Sequence, residues 1–382
     1  MKSIAVGTFI ALLIVGGVLW AAQNKTAEKP QVGPPTIASA IDKGAKWLAS
    51  VQGADGGWGQ DGGETSYVRT GERLESNGND VANTAVAALA LLEAGKQYQS
   101  NVDRALDFIL KKVESSKTDG LAITEAQGTQ IQRKLGPYID TFLTSMLLAK
   151  VDGTLSQPQR NARVRQALEK CVAKIEKNQK SDGSWNVAGG WAPVLGTSMA
   201  SRSLYDAQQK GVKVDDKVLA QATTYSLSAV TVEASVSSSA SVSTVKGKGA
   251  GGTLGGVLRA PVEAAGVALY QGAQALEQLT RTEKDRAKNA KEIAALSAQV
   301  ADTQFVNGFG SMGGEEFFSY LNLSDGLKRS GGEPWKKWHS DITQKILSLQ
   351  NGDGTWAGHH CITGRVAVTS AAILNLSIDH AN

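Results

Sequence analysis

The sequence predicts an all-α protein built from a series of helical hairpins, and three observations support this prediction. The chain of 382 residues is 41% hydrophobic and 20% charged, which is typical of a protein that folds around a sizeable core. The pattern Q-x-x-D-G-x-W occurs three times, each time after a stretch with helical periodicity. A second apolar stretch, rich in small residues, follows each occurrence and predicts the other helix of a hairpin.

Residues 1–22 contain an uncharged apolar run that is long enough to cross a bilayer as a helix. A cleaved signal peptide has a similar run, but Leu19 and Trp20 occupy the −3 positions of the two available cleavage sites, where small residues are preferred. The segment therefore predicts an uncleaved membrane anchor in preference to a signal peptide. Residues 23–36, with three prolines, predict a polar linker. Either interpretation places the rest of the chain in the cell envelope, as a membrane-anchored, periplasmic or secreted domain.

The repeated turn gives each of its fixed residues a structural task. Asp-Gly favours a turn, because Asp bonds its local backbone and Gly tolerates positive φ. The Trp ring can lie across the hairpin while its N–H finds a partner. The Gln amide both donates and accepts, which suits it to tie the turn to the start of the following helix. The three copies are Gln52–Trp58, Gln179–Trp185 and Gln350–Trp356.

Five hairpins are recognised along the chain. Three contain the repeated turn, a fourth joins residues 102–113 to residues 138–150 without its Gln and Trp, and a fifth includes residues 315–330. The helices rich in small residues suit an inner layer, and the more charged helices suit an outer layer. Residues 37–225 and 301–382 are therefore predicted to form the repeat domain.

Residues 226–300 are predicted to be an insertion between the two parts of the repeat domain. Residues 226–260 are rich in Ser, Gly and Val and have no helical period, which predicts a flexible loop. Residues 262–300 have a helical composition, and the dense charge at residues 282–292 predicts a solvated surface helix.

The Q-x-x-D-G-x-W turn between two helices resembles the QW repeat of squalene and hopene cyclases and of the related protein prenyltransferase β subunits. The resemblance covers about residues 37–225 and 300–378. It implies an α/α toroid, in which an inner and an outer layer of helices surround a central cavity. A complete toroid has six hairpins, so the ring is either incomplete or contains one hairpin too divergent to recognise.

The cyclase acid motif is incomplete in this sequence. In the cyclases that the chain resembles, the middle Asp of Asp-x-Asp-Asp-Thr-Ala, at the start of an inner helix, protonates an alkene or epoxide. The matching stretch here begins at Asp80 and places Ala82 and Asn83 at the two following acidic positions. Neither side chain is an acid. The sequence therefore predicts that this chemistry is absent and that Asp80 caps its helix.

A metal site of the prenyltransferase type is not predicted either. The resemblance implies zinc held by an Asp-x-Cys pair and a distant His, but no Asp stands two residues before Cys361. His359, His360 and Cys361 are consecutive, and consecutive side chains are expected to point apart, which argues against a shared ion. Neither a metal nor another cofactor is therefore predicted.

The richest polar cluster of the sequence precedes the last inner helix, and paired carboxylates begin another inner helix. The starts of inner helices gather at one rim of a toroid, so Asp80, Asp140 and Glu315 are expected to share that rim. Helix capping is the simpler explanation for each of these three carboxylates. The candidate catalytic residues are His359, His360, Cys361, Arg365, Glu315, Glu316 and Asp80.

Two functions are consistent with these residues. The first is an exported, membrane-tethered protein that binds a ligand or a protein partner without cyclase activity, for which an isoprenoid or other apolar ligand suits an aromatic-lined cavity. The alternative is an active enzyme of the same superfamily that acts on an isoprenoid or other apolar substrate, with the Glu315/Glu316 and His359–Arg365 groups as acid and base. A third possibility is a purely structural envelope protein whose cavity is filled by side chains. The formal net charge of +4 is too small to predict nucleic-acid binding.

Overall fold

The structure is a computed structural model that describes residues 36–60, 78–125, 128–185, 192–240, 262–300 and 313–379. The apolar run and the linker predicted before residue 36 lie outside the described residues. Within the described ranges, no helix is long and apolar enough to cross a membrane.

The described residues form fourteen α-helices and no β-strand, which confirms the predicted all-α class. The helices are α1 (Ile37–Ser50), α2 (Val81–Ala94), α3 (Gln99–Ser115), α4 (Gln130–Leu135), α5 (Ile139–Val151), α6 (Pro158–Lys177), α7 (Ala192–Gln209), α8 (Asp216–Ala240), α9 (Val262–Leu279), α10 (Glu283–Lys288), α11 (Ala290–Val300), α12 (Gly314–Ser330), α13 (Gly332–Ser348) and α14 (Arg365–Ser377).

Six of these helices form a closed inner ring. The inner helices are α2, α5, α7, α9, α12 and α14, and each packs against the next. Helix α14 packs against α2, which closes the ring. The outer layer consists of α1, α3, α6, α8, α11 and α13, which pack on the outside of the inner helices. The arrangement is an α/α toroid, as the sequence predicts, and the ring is complete.

The inner helices are buried around their whole circumference, which explains their composition. Every residue of α2 from Val81 to Leu91 is buried, and in α5 only Lys150 is exposed. A helix that contacts neighbours on all sides has no polar stripe. Small residues such as alanine let these helices approach closely, so the alanine-rich stretches are inner helices, as predicted.

The tryptophans of the repeated turns all make the same hydrogen bond. The indole Nε1 donates to the carbonyl of the residue ten positions earlier, at 2.7–2.8 Å. The pairs are Trp58 with Leu48, Trp185 with Ile175, and Trp356 with Ile346. The Trp backbone N–H donates to a threonine hydroxyl of the following inner helix, at 2.9–3.2 Å. Each Trp therefore fastens the end of an outer helix to the next inner helix.

The glutamines of the repeated turns join one hairpin to the next. Each Gln Nε2 donates to the Gly carbonyl of its own turn and to a carbonyl of the next outer helix, at 2.8–3.0 Å. The acceptors in the next outer helix are Asn101 of α3, Val218 of α8 and Ala40 of α1. Because Gln350 reaches back to α1, the third turn closes the outer layer as well.

The glycine of each repeated turn is required by the backbone. Gly56, Gly183 and Gly354 have φ between +89° and +90°, a conformation that residues with a Cβ rarely adopt. A Cβ at Gly56 would also lie 2.4 Å from the carbonyl oxygen of Arg104 in the next outer helix. The Asp-Gly pair therefore sets both the turn and the distance between hairpins.

The inner helix that the sequence did not predict, α9, lies within the predicted insertion at residues 226–300. That stretch also contains the last part of α8 and all of α10 and α11, and α9 and α11 occupy places in the two layers. The assignment of residues 262–300 to an insertion outside the ring is therefore corrected. The loop predicted over residues 226–260 is also wrong for residues 226–240, which are helical, and residues 241–260 lie outside the described residues. The hairpin was not recognised because it has no Q-x-x-D-G-x-W turn.

A network of buried ion pairs holds α9, whose hairpin has no repeated turn. Glu277 of α9 is 1% exposed and accepts two hydrogen bonds from Arg281, at 2.7 and 3.0 Å. Arg329 of α12 donates to the Glu277 carboxylate and backbone, and Arg281 also donates to the Ser201 hydroxyl of α7. These arginines hold the pKa of Glu277 below its usual value although burial opposes this. The network links three adjacent inner helices and explains how α9 is held in the ring.

Candidate functional site

Asp80 has the capping role that the sequence predicts. Its Oδ1 accepts the backbone N–H of Asn83 and its Oδ2 accepts the Asn83 side-chain amide, both at 2.8 Å. Burial raises the pKa of Asp80 to about 7, with a smaller contribution from the negative charge of Asp140. Ala82 and Asn83 occupy the neighbouring positions without an acidic side chain. Both carboxyl oxygens of Asp80 are therefore engaged in hydrogen bonds within its own helix.

Asp140 joins segments that are not adjacent in sequence. Its carboxylate accepts hydrogen bonds from the Thr124 hydroxyl at 2.5 Å and from the Gln132 amide at 3.1 Å. Burial raises its pKa, and these donors oppose the shift. Asp80 and Asp140 are electrostatic neighbours at the starts of α2 and α5, as predicted for the shared rim. The Asp140 carboxylate therefore joins the segments of Thr124 and Gln132 to the start of α5, whereas the Asp80 carboxyl bonds within its own helix.

Glu315 has different surroundings from the two aspartates. It is fully buried in the first turn of α12, and neither of its carboxylate oxygens accepts a hydrogen bond of good geometry. The Nδ1 atom of His360 lies 3.5 Å from Oε1 of Glu315. The donor atoms of Glu315, His360 and Cys361 all lie within 4.8 Å of one another. Two of the sequence-predicted candidate groups therefore meet at one place, which we call the E-H-C cluster (Glu315, His360 and Cys361).

The expectation that consecutive side chains point apart is wrong for His360 and Cys361. Cys361 has φ of +59°, and among the described non-glycine residues it is the one with positive φ. This left-handed conformation turns the chain so that both side chains face Glu315. A bulky residue adopts it only where the surroundings over-determine it. Consecutive side chains point apart on an extended backbone, and the loop at Cys361 is not extended.

Close backbone contacts hold the loop of the cluster against α12. The backbone N–H of Gly314 donates to the carbonyl of Ile362 at 3.0 Å. A Cβ at Gly313 would lie 2.6 Å from two ring atoms of His360, and one at Gly358 would lie 2.0 Å from the Ile362 carbonyl oxygen. Glycines at these positions therefore allow the loop to reach the buried carboxylate.

Gln130 fixes the far end of the same loop. Its Oε1 accepts the backbone N–H groups of Thr363 and Gly364, at 2.9 and 3.0 Å, and its Nε2 donates to the Thr363 hydroxyl at 2.9 Å. Gln130 begins the short helix α4, which packs against inner helices at this end of the ring. Sequence analysis missed Gln130, since nothing in its local pattern marks a contact 233 residues away.

The electrostatics of the E-H-C cluster favour a charged imidazole. The side chain of Cys361 and then the carboxylate of Glu315 raise the pKa of His360 to about 10, against the opposing effect of burial. Cys361 is 5% exposed and His360 is half-buried, so His360 is the more accessible of the two. Carboxylate, imidazole and thiol groups this close can transfer protons or bind a metal ion together.

The other predicted candidates lie near the cluster but have separate partners. The Glu316 carboxylate accepts the backbone N–H of Gly313 at the start of α12. Arg365 pairs with Asp353 at 2.8 Å, and its guanidinium lies 5.0 Å from the ring of Trp47. Arg365 therefore stabilises the third repeated turn and does not join the E-H-C cluster. His359 is half-buried in the loop that carries His360.

Two buried tyrosines near the paired carboxylates Glu315 and Glu316 were not predicted. Burial raises the pKa of Tyr270 in α9, and the charges of Glu315, Glu316 and Cys361 add to this effect. Tyr320 of α12 has a pKa raised by burial, and its hydroxyl lies 3.5 Å from the Nζ of Lys345. Tyr270 was missed because its helix was assigned to the insertion.

A cavity of about 380 Å³ lies at the opposite end of the inner ring. The C-terminal halves of five inner helices line it, with Leu89, Met146, Leu321 and Leu374 as apolar residues. Charged residues surround these, and Lys150 pairs with Glu93 at 2.6 Å while Arg202 pairs with Asp325. The cavity is therefore partly apolar and partly charged, and its size falls at the lower end of the range for small-molecule sites.

Fold and turns together place the molecule among the α/α-toroid repeat proteins, and comparison with known proteins shows which of them part of the chain is similar to. The family described as squalene-hopene cyclase C-terminal domain matches residues 24–129. A squalene–hopene cyclase of Bradyrhizobium diazoefficiens is 39% identical over 70 residues, which is 18% of this chain and 10% of that protein. These matches confirm the resemblance to the squalene and hopene cyclase superfamily.

One solved structure is similar to this chain at low sequence identity. The type II terpene cyclase MstE from Scytonema is 12% identical, with a TM-score of 0.35, over 90% of this chain and 98% of that chain. The match to the curated squalene–hopene cyclase spans about a tenth of that protein's length.

Proposed function

We propose that the protein is an exported, membrane-tethered toroid that binds an isoprenoid or other apolar ligand, and that it does not carry out cyclase chemistry. The observation that carries the proposal is the absence of a free acidic side chain at the start of α2. Ala82 and Asn83 replace the acids of the cyclases, and the Asp80 carboxyl caps its own helix. Protonation of an alkene needs an acid that is free to reach the substrate.

The cavity at the C-terminal end of the inner ring is the proposed ligand site. Its leucines and Met146 provide an apolar floor, and the ion pairs of Arg202 and Lys150 provide a polar rim. This combination suits an apolar chain with a polar end. The apolar run in residues 1–22 supports the membrane tether, because a run of this length can anchor the chain beside a lipid source.

The proposal is tested by identifying lipids that co-purify with the full-length protein. Native mass spectrometry of the detergent-solubilised protein should detect a bound apolar molecule. Leu374→Trp, which fills the cavity, should reduce its occupancy at least tenfold, because the larger ring takes the space of the ligand. Leu219→Trp is the matched control, since Leu219 is also partly buried but lies on the outer helix α8. Turnover of squalene or of a polyprenyl substrate that Asp80→Asn abolishes would contradict the proposal.

A second candidate function has one observation in its favour. Glu315 and His360, predicted as an acid and base for an active enzyme of the superfamily, lie 3.5 Å apart. If they act together on an isoprenoid or other apolar substrate, Glu315→Gln and His360→Asn should each abolish turnover while lipid binding in the cavity persists. Absence of turnover in the wild-type protein, with lipid binding that persists in both variants, would favour the first function.

A further inference from the structure

We propose that Glu315, His360 and Cys361 bind a zinc ion through three protein ligands and leave the fourth coordination position open. This inference goes beyond the proposed ligand binding and does not depend on it, because the cluster and the cavity lie at opposite ends of the inner helices.

The donor set matches the chemistry of zinc. A carboxylate oxygen, an imidazole nitrogen and a cysteine sulfur are the three kinds of ligand that Zn²⁺ takes in proteins, at about 2.0–2.3 Å. Around a tetrahedral ion the ligand atoms then lie roughly 3.5 Å from one another. The corresponding atoms here lie within 4.8 Å of one another. An approach of about 1 Å, within the reach of side-chain rotation, completes the site.

The buried carboxylate of Glu315 is a second, independent observation that points to a cation. Glu315 is fully buried, and neither oxygen accepts a hydrogen bond of good geometry. Burying a carboxylate is costly unless a charge or donors compensate for it. The nearest polar side-chain atom that the structure places beside it is Nδ1 of His360 at 3.5 Å, and a bound dication would supply direct ligation to the carboxylate.

The loop is built to present the ligands and leaves a route to them. Gly313 and Gly358 allow it to lie against α12, the positive φ of Cys361 turns two consecutive side chains to one side, and Gln130 holds the loop from behind. The side chain of His360 is 22% exposed, so an ion can reach the cluster from solvent.

The test uses the full-length protein, stripped of metal and titrated with Co²⁺, which reports thiolate ligation by an absorption band in the near ultraviolet. We expect one equivalent of Co²⁺ to produce the band and Zn²⁺ to displace it. Cys361→Ser should abolish the band, and Glu315→Gln should keep the band but weaken binding at least tenfold. Cys171→Ser is the matched control, because Cys171 is the other cysteine of the chain and is buried in α6.

The wild-type protein supplies a second readout that needs no variant. Bound Zn²⁺ should slow alkylation of Cys361 by iodoacetamide at least tenfold while leaving Cys171 unchanged. The inference is overturned if Co²⁺ gives no thiolate band, if the band survives in Cys361→Ser, or if Zn²⁺ leaves the alkylation rate of Cys361 unchanged. The last result would identify a metal-free thiol and imidazole pair.

Discussion

Three carboxyl groups lie at the starts of inner helices but have different partners in the structure. Asp80 and Asp140 accept hydrogen bonds from donors such as Asn83 and Thr124, whereas Glu315 has His360 as its charged neighbour. Sequence analysis predicted the capping role of Asp80 because its donor lies three residues away. It did not distinguish Glu315, since the partner of Glu315 comes from a loop 45 positions further along the chain.

The stability of the protein should fall as the pH rises, through Asp80. Burial raises the pKa of Asp80 from 3.8 to about 7 on folding, so the folded state keeps a proton that the unfolded state has lost between these values. Unfolding then releases about one proton, and stability is lost by up to about 1.4 kcal/mol per pH unit as the pH rises through this window. Asp80→Asn keeps a good helix cap and should remove this dependence.

Urea denaturation of the wild type and of Asp80→Asn at several pH values between 4.5 and 7, a range set by the Asp80 pKa shift, measures the effect. The variant should gain stability relative to the wild type as the pH rises. Glu283→Gln, which changes an exposed acid of α10, should follow the wild type. Parallel curves for the wild type and Asp80→Asn would contradict the assignment.

At the scale of elements, the loop before α14 shows where sequence reasoning reaches its limit. The paired carboxylates that begin α12 and the polar residues of this loop were recognised as a candidate site from local patterns. Their contact was not predicted, because it depends on the positive φ of Cys361 and on Gln130, a residue from another part of the chain. Backbone conformations of this kind are set by tertiary packing and leave no periodic signal.

Gly313→Ala should disturb the E-H-C cluster. The new Cβ would lie 2.6 Å from His360 and 2.7 Å from the Glu315 carboxylate, so the loop must move. Overpacking of this kind costs about 1–3 kcal/mol of stability. Gly352→Ala is the control, because a Cβ there meets no atom within 4 Å and the residue is exposed. Thermal unfolding compares the two variants, and an equal Tm for both would show that the loop is not in close contact with α12.

At the scale of the whole molecule, the sequence predicted the class of fold and five of the six hairpins. The repeated turn made this possible, since its Gln, Asp, Gly and Trp each have a fixed structural partner. The hairpin of α9 lacks the turn and is held by Glu277, which pairs with Arg281 four residues later and with Arg329 of α12. The Glu277–Arg329 pair is invisible to a search for repeats, because the two residues are 52 positions apart in the sequence.

Gln350→Ala should loosen the closure of the ring at α1. Gln350 donates to the Ala40 carbonyl, whereas the equivalent Gln179 donates to Val218 in α8. Loss of two such hydrogen bonds costs about 1–2 kcal/mol locally, equivalent to roughly a tenfold faster exchange of nearby amides. Hydrogen exchange should rise in α1 for Gln350→Ala and at the start of α8 for Gln179→Ala. Faster exchange in the same helix for both variants would contradict the claim that each Gln stabilises a different outer helix.

The contact between α14 and α2 has a consequence for how this architecture can change in evolution. An open array of repeats can gain or lose a unit at its ends, because the end units are specialised to face water. A closed ring of hairpins has no end unit. Deleting one hairpin here would leave two apolar inner faces without neighbours, so the number of hairpins is constrained by curvature, and divergence is confined to the linkers and to the individual turns.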